Sequence, residues 1–368
     1  MKKLIYSIVA LLSGVTSVNA AIYAFADGDL YFSVLSVDDA TVKAVAPIGD
    51  AAADYLLGAT SVSVPATATN SKTGITYKVV EIGVDAFADN PTLEDVTIPE
   101  GVTKVNSFYN LPNLRSVTLP ASLEYVGGFV NLPALETLDL PDGITTIDYY
   151  AFQRLTSLTS VRIPQGVTQI RDFVFNSCPA ITSFAMPGIE FIDEYCLNFP
   201  SLKRLTFPAS LKSTGWCAIS GGMEELWFES DGSDRQWTLS MNGFRCRPTA
   251  IYCEHTTPPS FIYEDAFLIN EEYGSTDDNM FGGLENMKSI TLYVPVGTAE
   301  AYRATPYWGT MQIVEYDFNA GIAVPKADQG DAERTPAIYD LAGRKIDGTP
   351  ATPGIYVSQG KKFHHSGR

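Results

Sequence analysis

A short motif recurs along the middle of this chain at nearly constant spacing. The string Leu93-x-x-Val96-x-Ile98-Pro99 returns, with conservative changes, in six copies at steps of 21 or 23 residues. The copies begin at Leu93, Leu114, Leu135, Leu158, Ile181 and Leu202, and a further copy without proline begins at Met223. A unit this short cannot bury its own apolar face, so neighbouring units must stack and share one elongated core. The period therefore predicts a solenoid.

Each unit contains two short stretches in which apolar and polar residues alternate. Val96-Thr97-Ile98 has the period of a strand with one buried face, and Pro99 ends that strand because proline lacks a backbone N–H. A second alternation runs from Val102 to Val105, and an aromatic residue stands six positions before the next leading residue. We expect these aromatics to fill the side of the coil away from the first strand: Phe87, Phe108, Phe129, Phe152 and Phe175. On the first strand, the outward positions are predicted to be Thr97, Thr118, Asp139, Arg162, Ala185, Thr206 and Trp227.

The repeated unit resembles the BspA-like branch of bacterial leucine-rich repeats over about residues 60–315. The resemblance implies an α/β leucine-rich-repeat solenoid that is dominated by β structure, with short helical or irregular connectors. It also implies a secreted or surface-displayed scaffold that binds other molecules, with adhesion or protein recognition as the expected role. Where a fold hosts many functions, that role is an analogy.

The two ends of the chain differ in composition from the repeats. Lys2-Lys3, an apolar run and Val18-Asn19-Ala20 predict a secretory signal over residues 1–20. We expect an N-terminal β cap at 21–59, the solenoid at 60–230, irregular repeats with a C-terminal cap at 231–318 and a linker at 319–335. Two apolar alternations around Gly-containing turns predict a small β unit at 336–368. Its sequence resembles the C-terminal sorting segments of Bacteroidetes-type secreted proteins, and this resemblance implies attachment to the outer surface.

Charge and hydropathy narrow the class of partner. The formal net charge is −17, and no basic stripe interrupts it, so nucleic acid is excluded as a partner. No stretch approaches 18 apolar residues, so no transmembrane segment is expected. The predicted ligand is an extracellular protein or glycan, and the predicted location is outside the cell or on its surface.

The sequence contains no recognisable catalytic motif, and we expect no enzyme activity and no cofactor. Its histidines, at His255, His364 and His365, lack the spacing of a helical zinc site. Asp277-Asp278-Asn279 offers oxygen atoms but lacks the spaced ligands of a calcium loop. A hydrolase in the irregular stretch 230–283 is the weakest of the functions considered.

Three tryptophans provide the most specific hint of a binding surface. Trp216, Trp227 and Trp237 fall near the end of the regular coils, and Trp227 occupies an outward position beside Glu225. Exposed tryptophans suit stacking on sugar rings or anchoring a protein partner, whereas the alternative is that they close the apolar end of the solenoid. Arg162 and Tyr125 complete the predicted binding surface.

Five cysteines cannot all pair within one chain. Cys178, Cys196 and Cys217 occupy repeat positions and are expected to be buried as small apolar side chains. Cys246 and Cys253 are the best candidates for a disulfide, because they lie close together in the irregular region.

Overall fold

The fold was obtained as a computed structural model that describes residues 25–47, 55–233, 237–240, 242–262, 281–324, 338–340, 345–346, 354–358 and 361–365. These residues form a solenoid built almost wholly of β-strands, as the repeat period predicts. The expected signal segment and the Asp277-Asp278-Asn279 string lie outside the described residues.

One strand of most coils contributes to a column that we call the front ladder. Its strands are parallel, except that the last pairs antiparallel with its neighbour. They are Ser61–Ser63, Asp95–Thr97, Ser116–Thr118, Ser160–Arg162, Ser183–Ala185, Arg204–Phe207, Glu225–Phe228, Ala250–Cys253, Thr291–Pro295, Gln312–Asp317 and Ile322–Val324. The last of these lies within the stretch expected to be linker.

A second ladder forms another side of the solenoid. It begins as an antiparallel meander at the N-terminal end and continues mostly as parallel strands. Its strands are Phe25–Asp27, Leu30–Ser36, Thr41–Val45, Thr67–Asn70, Ile75–Ile82, Lys104–Asn106, Tyr125–Gly127, Thr146–Ile147, Gln169–Ile170, Phe191–Ile192, Ser213–Thr214, Thr238–Ser240 and Ser260–Ile262.

Smaller elements complete the described fold. A third ladder joins Leu197–Phe199, Ile219–Gly221 and Phe244–Arg245. The helices are Leu284–Met287 and Ala299–Ala304, followed by a 3-10 turn at Trp308–Thr310. The expected small β unit is a four-stranded antiparallel sheet of Ile338–Asp340, Lys345–Ile346, Gly354–Ser358 and Lys361–His365.

The core is a set of stacked columns, one residue from each coil. All six leading residues are at most 2% exposed, and the five predicted aromatics form a column that is at most 1% exposed. Successive phenylalanine rings lie 4.7–5.8 Å apart between centroids. Burial of each large side chain contributes on the order of 1.5–3 kcal/mol, and because each coil covers the next, no coil is stable alone.

Within the repeats, the course of the ladders differs from the sequence-based expectation in two places. Asp139 was expected on a front-ladder strand, yet residues 137–139 form none, although Leu138 is only 7% exposed. Conversely, the repeat motif is lost at 230–247, yet Thr238–Ser240 and Phe244–Arg245 continue the second and third ladders. Packing of apolar side chains therefore maintains the coil where either the hydrogen-bond ladder or the motif is missing.

The expected disulfide between Cys246 and Cys253 does not form. All five cysteines are free and buried. The hydroxyl of Tyr302 lies 3.1 Å from the Cys253 sulfur, so that thiol has a partner other than Cys246. The prediction that Cys178, Cys196 and Cys217 are buried as small apolar side chains is confirmed.

Candidate binding surface

The last coils of the front ladder present a row of aromatic side chains. Strand alternation turns Leu226 and Phe228 into the core and Trp227 outwards, and register places Trp227 beside Tyr252 and Tyr252 beside Tyr293. The ring centroids are 3.9 Å and 4.4 Å apart, and the planes lie within 11° and 9° of parallel. The rings therefore stack along the ladder and turn their edges towards solvent.

Two more rings close this row at its C-terminal end. Tyr316 lies edge-on to both Tyr252 and Tyr293, at 5.5 Å and 5.4 Å. Phe318 in turn lies edge-on to Tyr316 at 4.9 Å. We call Trp227, Tyr252, Tyr293, Tyr316 and Phe318 the front aromatic row.

Arg204 covers the other end of the row. Its guanidinium lies 5.0 Å from the centre of the Trp227 ring, within the range of a cation–π contact. Glu225 holds the guanidinium in place, since its Oε2 accepts from Arg204 Nε at 2.7 Å. The same oxygen accepts from the indole N–H of Trp227 at 3.3 Å. Both faces of Trp227 are thus occupied, one by Tyr252 and the other by Arg204.

The row is partly shielded from water, and this raises the pKa of its phenols. Burial raises the pKa of Tyr252 to about 12, with smaller contributions from Tyr293, Glu225 and Tyr316 and an opposing one from Arg204. Burial is also the main cause of the raised pKa of Tyr316. These hydroxyls are therefore neutral at physiological pH and available as hydrogen-bond donors.

The residues predicted as a binding surface lie at separate places. Trp227 belongs to the front aromatic row, whereas Trp216 follows the second ladder, where its ring is perpendicular to Tyr195 at 5.0 Å. A binding-surface role for Trp237 would need an exposed ring, but Trp237 is only 3% exposed and packs against Phe228. The alternative, in which a tryptophan closes the apolar end of the regular coils, describes Trp237 better.

The other two predicted residues are held by contacts within the protein. Arg162 is exposed on the front ladder and pairs with Asp142 at 2.9 Å. Tyr125 lies on the second ladder, where its hydroxyl donates to Asp148 and Lys104 lies 4.9 Å from the centre of its ring. The structure does not bring Tyr125, Arg162 and Trp227 together.

Sequence reasoning missed Tyr252, Tyr293 and Tyr316. A signal for the first two was present, because Ala250-Ile-Tyr-Cys253 and Leu292-Tyr-Val-Pro295 alternate in the same way as Glu225-Leu-Trp-Phe228. Aligning these strings by their buried residues places each tyrosine in the outward position of Trp227.

The described residues lack two further features, a metal-binding cluster and a membrane-spanning helix. Among them, no group of three or more His, Cys, Asp or Glu side chains is arranged to hold a metal ion. In the same part of the chain, no helix has the length and apolar character that crossing a membrane requires.

The stacked ladders, the repeated core columns and the outward aromatic row define a leucine-rich-repeat solenoid, which is a binding scaffold built from repeats. Residues 67–132 and 126–225 match the model of the BspA type leucine rich repeat region, in six copies. The chain therefore contains a BspA-type leucine-rich-repeat region over residues 67–225.

Solved structures share the fold at low sequence identity. A leucine rich cell surface protein from Faecalibacterium prausnitzii is 22% identical, with a TM-score of 0.51 over 66% of this chain and 73% of that one. A leucine-rich repeat protein from Bacteroides ovatus is 17% identical, with a TM-score of 0.46 over 80% of this chain and 76% of that one. The first of these supports the fold. No curated protein sequence matches the chain.

Proposed function

We propose that this protein is a non-catalytic scaffold at the cell surface or outside the cell, and that it recognises a protein partner through the front aromatic row. The observation that carries the proposal is the concentration of five stacked or edge-on rings and Arg204 on one outward face. Tryptophan, tyrosine and arginine are the residue types that dominate protein–protein hot spots.

The stacking geometry favours a protein over a sugar. A sugar ring binds an aromatic residue by lying flat on an open face, and Trp227 has both faces occupied. Tyr252 is stacked between Trp227 and Tyr293. What the row offers instead is ring edges and neutral hydroxyls, which suit the mixed apolar and hydrogen-bonding contacts of a protein interface.

The test is binding of the mature protein to a panel of purified extracellular-matrix proteins and to intact neighbouring cells. We expect saturable binding to at least one of them. Tyr293→Ala should lower the affinity at least tenfold, which is on the order of the loss of one hot-spot contact. Thr206→Ala is the matched control, because Thr206 is the register neighbour of Trp227 on the preceding coil and lies outside the row. No saturable binding, or equal loss in both variants, would count against the proposal.

A polysaccharide array distinguishes the glycan alternative. Glycan binding would replace protein recognition as the proposed function if the wild type is retained on the array and Trp227→Ala abolishes that retention without lowering the melting temperature. We expect no such retention.

Export and display form the second part of the proposal. They are supported by the resemblance of residues 1–20 to a secretory signal and by the resemblance of residues 336–368 to a C-terminal sorting segment. Fractionation of cells expressing the chain with and without residues 336–368 tests attachment. We expect the full chain in the surface fraction and the shortened chain in the medium, and identical distributions would contradict attachment through this segment.

A further inference from the structure

One junction between consecutive coils differs from its neighbours in how the two ladders join it. Between residues 135–157 and residues 158–180, neither the front ladder nor the second ladder forms a strand pair. At every other junction of the coils that begin at Leu93 to Met223, at least one of these ladders pairs. We call the unpaired junction the hinge interface.

The backbone hydrogen bonds that remain at the hinge interface lie on one side of it. Three N–H groups of the connecting segment donate to the following coil at 2.9–3.2 Å, those of Tyr150, Phe152 and Arg154. The N–H of Thr159 donates to the carbonyl of Glu136 at 3.2 Å. By contrast, no backbone hydrogen bond joins residues 137–149 to residues 160–171, all of which the structure describes. The two coils are therefore hydrogen-bonded along the connecting segment and not around the rest of the turn.

Side-chain contacts strengthen the hydrogen-bonded side. The rings of Phe152 and Phe175 lie 5.1 Å apart in the core, and those of Tyr150 and Phe173 stack at 4.9 Å. The Cys178 sulfur lies 3.1 Å from the carbonyl oxygen of Phe152. If the two coils separate anywhere, they therefore separate on the side opposite the connecting segment.

The lengths of the coils explain why the strand pairs are missing here. The coils that begin at Leu93 and Leu114 are 21 residues long, whereas the coil of residues 135–157 is 23 residues long. This longer coil pairs with its shorter predecessor on the second ladder, where Thr146–Ile147 lies beside Tyr125–Gly127. Because it fits its shorter predecessor there and its longer successor along the connecting segment, it cannot match the successor all the way round.

An exposed ion pair spans the side of the hinge interface that lacks backbone hydrogen bonds. Nη1 of Arg162 lies 2.9 Å from Oδ1 of Asp142, and both side chains are exposed. A second cation, Arg171, lies 3.9 Å from Asp148 at the edge of the connecting segment. Exposed ion pairs are weak and are screened by salt, so the Arg162–Asp142 pair closes this side only loosely.

We propose that the solenoid bends at the hinge interface, with residues 148–159 as the pivot and the Arg162–Asp142 ion pair as a latch on the opposite side. Bending there breaks no strand pair, because the two ladders have none to lose. The packed core limits its amplitude, since opening exposes apolar surface. The bend turns the front aromatic row relative to the N-terminal coils, whatever that row binds.

Pulsed EPR on the whole protein tests the bend through the distance distribution between two spin labels. Labels at Thr97→Cys and Ala185→Cys lie four coils apart across the hinge interface, and we call them the hinge pair. Labels at Thr206→Cys and Gln312→Cys, the control pair, lie four coils apart where the front ladder is continuous. Both separations are about 20 Å, from the spacing of parallel strands. The native thiols are buried, and the protein without added cysteines measures their background labelling.

The two pairs should give different widths of the distance distribution. We expect the hinge pair to give a distribution about twofold wider than the control pair, because strand pairs fix each junction of the control pair and none fixes the hinge interface. Equal widths for the two pairs would overturn the proposal.

The latch is tested by removing its negative charge. Asp142→Asn should widen the distribution of the hinge pair further at low ionic strength, and the variant and the wild type should converge in about 1 M salt. Glu224→Gln is the matched control, because Glu224 forms an exposed ion pair with Lys203 at 2.6 Å in a junction where the front strands pair. It should leave the distribution unchanged. No widening in Asp142→Asn, or equal widening in Glu224→Gln, would overturn the role of the latch.

Discussion

The side chains of Asn131 and Asn110 are joined across neighbouring coils, with Nδ2 of Asn131 donating to Oδ1 of Asn110 at 2.9 Å. Nδ2 of Asn110 donates in turn to Asp89 at 2.8 Å. All three residues have φ between 55° and 58°, a left-handed conformation that Asn and Asp adopt more readily than most residues. Residue types that tolerate the left-handed conformation thus occupy these positions, and this chain of side-chain hydrogen bonds joins three coils together.

Replacing Asn110 tests this chain of side-chain hydrogen bonds. Asn110→Ala removes two hydrogen bonds and places a Cβ without a compensating polar group at φ 55°, so we expect a loss of about 1–3 kcal/mol in the free energy of unfolding. Asn110→Gly loses the same bonds but accepts the backbone shape, and it should lose less. Urea unfolding measures both, and a glycine variant that is no more stable than the alanine variant would show that the backbone contributes nothing.

Phe129 tests the shared core. It is fully buried and lies 4.7 Å from Phe108 and 5.8 Å from Phe152, so Phe129→Ala should cost about 3–5 kcal/mol. Phe129→Leu keeps most of the volume and should cost less. Because each coil contacts mainly its neighbours, hydrogen exchange should accelerate more in the flanking coils than in Thr291–Pro295. Uniform acceleration along the chain would contradict a nearest-neighbour solenoid.

The columns of Leu93 and Phe87 could be predicted because their residues recur in phase, and stacking requires each recurrence to be buried. The front aromatic row was seen only at Trp227. The step from Tyr252 to Tyr293 spans 41 residues and includes an insertion, so the period no longer indicates the alignment. Trp237 stands where the motif has disappeared, and a sequence without a motif does not say which side of a coil a residue faces.

At Asp139 the opposite occurs, because the sequence pattern predicts a strand that the structure lacks. Leu138-Asp139-Leu140 alternates as its sister strings do, yet its backbone makes no ladder. Alternation reports which side chains are buried, and it correctly predicts that Leu138 is inside. Whether two neighbouring coils approach within hydrogen-bond distance depends on three-dimensional packing, which no local pattern contains.

Thiol chemistry tests the absence of a disulfide. Burial raises the pKa of Cys246 to about 12, and it raises the pKa of Cys253 to about 11, so native thiolates should be scarce as well as inaccessible. We expect slow labelling by a thiol reagent in the native protein. In denaturant without reductant, five thiols should react per chain. A count of three would indicate one disulfide.

The acidic groups around Glu194 predict a pH dependence. Burial, Asp172 and Asp193 raise the pKa of Glu194 in the folded state, so the native protein binds this proton more tightly than the unfolded chain does. Stability contributed by that proton is present at acidic pH and is lost as the pH rises through the raised pKa. Glu194→Gln should therefore raise the melting temperature at neutral pH and leave it nearly unchanged at acidic pH. Melting curves at the two pH values check this, and an equal shift at both would assign the effect to something other than charge.

Arg204 decides how the front aromatic row is used. Arg204→Ala uncovers one face of Trp227, so acrylamide should quench the fluorescence of Trp227 more strongly than in the wild type. Arg204→Lys should give an intermediate degree of quenching. If the row recognises protein through its edges and its arginine, the same alanine change weakens partner binding while leaving Tyr252 and Tyr293 stacked. If the rings instead serve to hold sugars, the newly open indole face strengthens binding to a polysaccharide array. The two readouts move in opposite directions under the two functions, so the one variant separates them.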